Sequence, residues 1–285
     1  MIPHQVTNLY LRLLAISSAC IFAGRAYNYF FWGSPIRVLL WDQDLFSPFV
    51  ENVLRMTWEA YAANTQVSTY LDIMTKVGAL FFLLCSLVSF LILFKRKTYL
   101  LSFLYIGSFV LVCHALLEMK DHFYHYAQFF EHSIQIGTPL LLGWAVFHPN
   151  RQQRTLSLAK ILIALTFVAH GLYAMGFYPV PGHFIDMTIS ILGISEDQAR
   201  LFLKVAGILD LILGVALFLP KIDRYALMYA VLWGFLTASA RIVSGFEADF
   251  VATSLHVYAC QTVFRLAHAL TPLAALLLLK DMETK

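Results

Sequence analysis

Residues 76–109 read KVGALFFLLCSLVSFLILFKRKTYLLSFLYIGSF, two long apolar runs joined by the basic triplet Lys95-Arg96-Lys97. A helix crossing the hydrocarbon core of a bilayer needs about 20 mostly apolar residues. Each run comes close to that length, and a basic turn between two such runs is the mark of a membrane hairpin whose loop stays on the cytoplasmic side.

The rest of the chain repeats this pattern. Of its 285 residues, 60% are hydrophobic and 13% charged, against about 25% charged in soluble domains. Its 20 Lys and Arg and 17 Asp and Glu are too few to coat a soluble fold of this size. A net charge of +3 is too small to point to nucleic acid. The expected partner is the lipid bilayer, with other membrane subunits as a second class. Cys20, Cys85, Cys113 and Cys260 all lie in apolar stretches without a CxxC pair, so they read as small buried hydrophobes rather than a redox or zinc motif.

Eight stretches qualify as spans: 9–31, 76–94, 98–119, 127–147, 158–177, 201–219, 225–243 and 256–279. The first carries Arg12 and Arg25 and no small-residue cleavage site, and is expected to be a membrane helix rather than a leader. Basic residues fall in alternate connections: 95–97, then Arg151 and Arg154, then Lys221 and Arg224, then Lys280 and Lys285. The positive-inside rule makes that side cytoplasmic. An even number of spans then puts both termini there, in a bacterial-type inner membrane. On the opposite side, residues 34–75 carry Leu40, Phe49, Val53 and Trp58 at helical spacing between acidic residues, the pattern of an amphipathic segment lying on the outer face. A shorter version spans 184–192.

The chain also resembles itself. Lys76-Val77-Gly78-Ala79-Leu80 matches Lys204-Val205-Ala206-Gly207-Ile208, and the stretch 93–109 matches 219–235 around Tyr99 and Tyr225. Thr138-Pro139-Leu140 answers Thr271-Pro272-Leu273 in the last helix of each half. The expected organisation is two four-helix repeats, 1–148 and 155–285. An even number of spans per unit makes them parallel, related by an axis along the membrane normal.

In the second repeat, His170-Gly171-Leu172-Tyr173 is followed by Gly176-Phe177, Pro181-Gly182-His183-Phe184 and the run Val205–Gly214 containing Asp210. This resembles the DoxX-like four-helix membrane family over residues 158–243. Tyr173 and Ala174 stand where the family has the Lys of its HG-x-x-K pattern, and Asp210 stands near a usual Glu. The resemblance implies a four-helix membrane fold. Because the family takes its name from a subunit of a thiosulfate:quinone oxidoreductase, it also implies a quinone as a conceivable cofactor.

Ionisable groups inside spans are costly and mark functional sites. His114, Glu118, His122 and His125 recur at spacings that share one helical face. With His132, the pair His122 and His125 forms the candidate metal set. A contact between His114 and Glu118 would favour the protonated imidazole. Arg25, His114, Glu118, His170, Arg241 and His268 form the candidate ligand-binding set, with Arg265 and His256 near them. Glu118, Asp210, Glu247 and Asp249 are the expected partners of the buried arginines. No HExxH motif or histidine-box array is present. Three readings fit: a scaffold or small-molecule or lipid-binding protein, a quinone-linked redox component, and a transporter. Against the last stands the lack of an evident pair of broken helices.

Overall fold

The structure is a computed structural model describing residues 8–284; residues 1–7 and Lys285 lie outside the described residues, and so does the beginning of the first expected repeat. Everything described is helix or connection. α1 (Leu9–Phe31) falls where the apolar run predicts.

The amphipathic stretch that follows is broken into α2 (Arg37–Leu40), α3 (Gln43–Phe49), one wide turn at Val50–Leu54, and α4 (Trp58–Ala62). Local chemistry sets these breaks. Asp42 caps α3 by accepting from the Leu45 amide at 2.9 Å, Arg55 ends the wide turn at φ 56°, and Thr57 caps α4. Tyr61 is buried among Trp41, Phe46 and Trp58, with ring centroids 5.4–6.0 Å away. Phe49 and Val53, in contrast, point outward.

α5 (Thr65–Phe94) has 30 residues and begins well before the expected residue 76. Nothing between 65 and 75 is Gly or Pro, Asn64 caps the start, and Arg37–Asp72 (2.8 Å) and Ser34–Thr75 (3.0 Å) tie the extension to the outer segment. α6 runs Thr98–Asp121, where Phe123 and Tyr124 at φ 53° and 59° reverse the chain. α7 (Tyr126–Phe130) and α8 (Ser133–Phe147) replace the single span expected over 127–147.

In the second half α9 covers Gln152–Ala174, α10 Gly182–Leu192, α11 Glu196–Ala216 and α12 Asp223–Ser244. α10 stops at Gly193, whose φ of 63° a side chain would resist. Ser195 and Gln198 form a reciprocal capping box at the start of α11. After a short turn at Ala248–Phe250, α13 (Val251–Arg265) and α14 (Ala267–Glu283) complete the chain.

Among the described residues six helices are long and apolar enough to cross a membrane: α1, α5, α6, α9, α12 and the run Ala248–Glu283 containing α13 and α14. The other two expected spans are helical but depart from the simple pattern. α8 has only 15 residues, and α11 carries Glu196, Asp197, Arg200, Lys204 and Asp210. Exposed Leu80, Leu87, Phe109, Ile212, Val215 and Leu232 cover the outward faces of α5, α6, α11 and α12. A surface of that kind suits lipid and not water.

The two most extensive helix pairs are α1 with α5 and α9 with α11. α1 also packs on α8, and α9 on α14; α6 packs on α8, and α12 on α14. Between the halves, α1 meets α13 and α14 while α9 meets α8. The four inner helices therefore are α1, α8, α9 and α14. Their seam is polar at one level: Thr138 and Thr271, the threonines of the two Thr-Pro-Leu triplets, share a hydrogen bond of 2.9 Å, and Ser17 joins Thr271 at 2.9 Å. Such short hydroxyl pairs let helices approach closely in a bilayer. Gly171 of α9 and Gly207 of α11 let those two helices meet backbone to backbone. A Cβ on either would sit 2.8 or 2.7 Å from the carbonyl oxygen of the other.

Candidate functional site

Two clusters of polar groups lie inside the bundle, one per half. In the first, Arg25 is 5% exposed on α1 and sends Nε and Nη2 to Gln135 Oε1, at 3.1 and 2.7 Å, and Nη1 to His114 Nε2 at 2.7 Å. A guanidinium only donates, so His114 Nε2 is an acceptor and its ring is neutral, with the Nδ1 proton directed to Tyr29 Oη at 3.0 Å. Glu118 is 3.7 Å from His114 Nε2, and its side chain is partly exposed. The contact expected to protonate His114 is therefore outcompeted by Arg25. The expected carboxylate partner of Arg25 is replaced by a neutral amide. Phe264 closes the cluster, its ring 4.2 Å from the Arg25 guanidinium.

The candidate metal ligands do not converge. α6 ends before His122, whose Nδ1 turns back to its own helix at the Glu118 carbonyl, 2.9 Å away. His125 sits beyond the chain reversal, stacked on Tyr178 at 4.5 Å. His132 is buried with Nδ1 on the Gln128 carbonyl, at 2.9 Å. Among the described residues no group of three or more His, Cys, Asp or Glu side chains has the arrangement of a metal site.

The second cluster borders a cavity of about 290 Å³ enclosed by α9, α10, α11 and α12 and the junction of α13 with α14. That volume sits at the small end of the about 300–1,000 Å³ common for ligand pockets. His170, Arg241, Arg265 and His268 make up its polar end, and Asp210 lines it beside Trp233. Its walls are apolar, among them Phe167, Phe184 and Leu203. Leu192, Phe202 and Leu236 both line the cavity and are exposed on the outside of the molecule, and so mark its mouth.

The polar end is incompletely satisfied. His268 is 4% exposed and its Nε2 has no partner, nor has His170 Nε2. His170 Nδ1 is 3.6 Å from Glu131 Oε2, which sits at the interruption between α7 and α8. Asp210 is 3% exposed and has only long contacts, 3.4 Å each, with Tyr229 Oη and Trp233 Nε1. Arg241 donates to His183 Nε2 at 3.2 Å and Gln261 Oε1 at 3.4 Å. His183 lies on α10, outside the spans. Although part of its ring reaches the surface, desolvation by its neighbours, then the Arg241 and Arg265 charges, push its pKa down to about 3, so it is neutral and able to accept.

Of the six ligand-binding candidates, the structure gathers His170, Arg241 and His268 around the cavity and leaves Arg25, His114 and Glu118 in the closed cluster. Sequence reading underrated Asp210 and Arg265, both at the cavity, and missed Trp233. Asp210 had a signal, being a lone carboxylate in an apolar helix. Trp233 had none. The sequence is matched by no family model, no curated protein and no solved structure.

Proposed function

We propose that this chain is an eight-span membrane protein of two parallel, DoxX-like four-helix repeats that binds a small amphiphilic molecule in the cavity of its second repeat. α8 and α11 would supply the two additional spans. The matched packing of α1 on α5 and α8 with that of α9 on α11 and α14 supports the duplication, as does the Thr138–Thr271 contact between equivalent triplets. With the basic connections cytoplasmic, both termini face the cytoplasm and the cavity lies in the outer half of the membrane.

One observation carries the binding reading: a cavity with apolar walls is bordered by Arg241 and Arg265, neither of which has a carboxylate partner among the described residues. Buried charges of a folded protein normally find partners, and two guanidiniums without one beside a pocket suit a ligand. Ala240 lines the cavity, and Ala240→Phe would fill it. Native mass spectrometry of protein extracted in mild detergent should detect a bound small molecule that this variant loses. Equal retention by both proteins would overturn the reading.

A transport reading gains support from one feature. The last helix of each half is interrupted at corresponding places, after Phe130 and after Arg265, on the same side of Pro139 and Pro272. Paired discontinuous helices are a recurrent feature of transporter binding sites. Flux of the bound molecule in proteoliposomes would separate transport from retention alone.

A further inference from the structure

We infer that the cavity receives the anionic head of an acyl-chain acid, a carboxylate or a phosphate monoester, between Arg241 and Arg265, with the chain leading out past α10, α11 and α12 into the lipid. This rests on the ligand-binding reading above and names its substrate class.

The charges at the polar end are unbalanced. Among the described residues neither Arg241 nor Arg265 forms an ion pair with a carboxylate. Lysines elsewhere are treated differently: Lys160 meets Asp223 at 2.7 Å, and Lys120 bonds the Asp42 carboxylate. Arg241 has only neutral acceptors, and Arg265 lies over the Phe264 ring at 4.8 Å. The two nearby carboxylates are engaged by other groups. Glu131 accepts from Gln128 Nε2 at 2.9 Å and faces His170 and His132 at 3.6 and 3.9 Å, while Asp210 faces Tyr229 and Trp233. Two guanidiniums in a low-dielectric setting call for an anion, and their planar forks match carboxylate or phosphate oxygens in pairs.

His268 also borders the cavity, and its buried Nε2 has no partner. A neutral amphiphile would fill the apolar walls but leave both arginines without an ion-paired partner. A small free anion would compensate them and leave the apolar walls empty. Only a molecule with both parts fits both ends, and the exposed Leu192, Phe202 and Leu236 near the mouth indicate entry from the bilayer rather than from water.

The test uses the full-length protein in an uncharged maltoside detergent, titrated with palmitate, palmitoyl-lysophosphatidate, hexadecanol and inorganic phosphate, and read by native mass spectrometry and Trp fluorescence. At least one of the two chain-bearing anions should bind about tenfold more tightly than hexadecanol, the gain of one charge-assisted contact. Inorganic phosphate should not compete at matched concentration. Whichever of palmitate and lysophosphatidate binds more tightly identifies the head as carboxylate or phosphate. Arg241→Gln should erase the preference of the anions over hexadecanol, and Arg241→Lys should restore part of it. The panel on the unaltered protein decides the matter even if a variant fails to fold. Equal binding of hexadecanol and both anions would overturn the anion assignment and leave the binding reading intact. Binding of none of the chain-bearing probes would overturn both.

Discussion

Arg25 and Arg265 are both arginines set inside the bundle, and their surroundings differ in one respect that decides what each does. Around Arg25, Nε, Nη1 and Nη2 all have acceptors, the acceptors are held by Tyr29 and the helices carrying them, and Phe264 covers the group. Arg265 also lies over the Phe264 ring but borders a cavity with Arg241, His170 and His268. The same residue types thus build a strut in the first half and an incomplete site in the second. A saturated network holds helices together; the unsaturated one beside a cavity is what the proposed ligand would complete.

The largest expected effect breaks the strut. Gln135→Leu removes the acceptor of two guanidinium donors and leaves a buried cation underserved, so stability in detergent should fall by about 3 kcal/mol. Ligand retention per folded molecule should not change. A denaturant titration with parallel native mass spectrometry checks both, and loss of ligand without loss of stability would invert the assignment of the two clusters.

Next is the wall of the site. Gly207→Val forces α9 and α11 apart where a Cβ would lie 2.7 Å from the Gly171 carbonyl oxygen. It should cost about 1–3 kcal/mol and, unlike Gln135→Leu, should also weaken retention. Thermal melts and retention assays on the two variants sharpen the contrast.

A smaller effect comes from pH. The folded pKa of His183 is held near 3, below its ordinary 6.5. Between those values the unfolded chain takes up a proton that the folded chain refuses, so stability is fully present above pH 6.5 and declines as pH falls towards 3. The melting temperature should therefore drop between pH 7 and pH 5, and less so in His183→Gln. An identical drop in both would remove His183 from the account.

The smallest effect is expected at Glu118. It faces His114 at 3.7 Å without displacing Arg25, and its side chain is partly exposed. Glu118→Gln should change stability by less than about 1 kcal/mol and leave retention unchanged, as checked by the same melts. A large loss would show that the first cluster is an ion-pair network after all.

Legibility followed the range of the interactions. α1 was readable to the residue because its apolar run and its ends are local signals. The start of α5 was misplaced because residues 65–75 read as part of the amphipathic outer segment, yet they continue the spanning helix once Arg37 and Ser34 hold them. The shared face of His114, Glu118, His122 and His125 failed because two left-handed residues, Phe123 and Tyr124, end the helix pattern, and neither type announces such a turn. His170, Arg241 and His268 were recognisable as costly residues in apolar surroundings, but nothing in their spacing separated them from Arg25 and His114.

Composition and apolar periodicity by themselves determined an all-helical chain with spans alternating about basic turns, because transfer from water to lipid is a sum over residues and each contributes wherever it packs. Which polar residues became a strut and which became an open site was decided only by tertiary structure. That outcome depends on whether Gln135 reaches Arg25 across 110 positions of chain and whether any carboxylate reaches Arg265. Hydrogen bonding is directional and short-ranged, so a few ångströms of helix placement settle it.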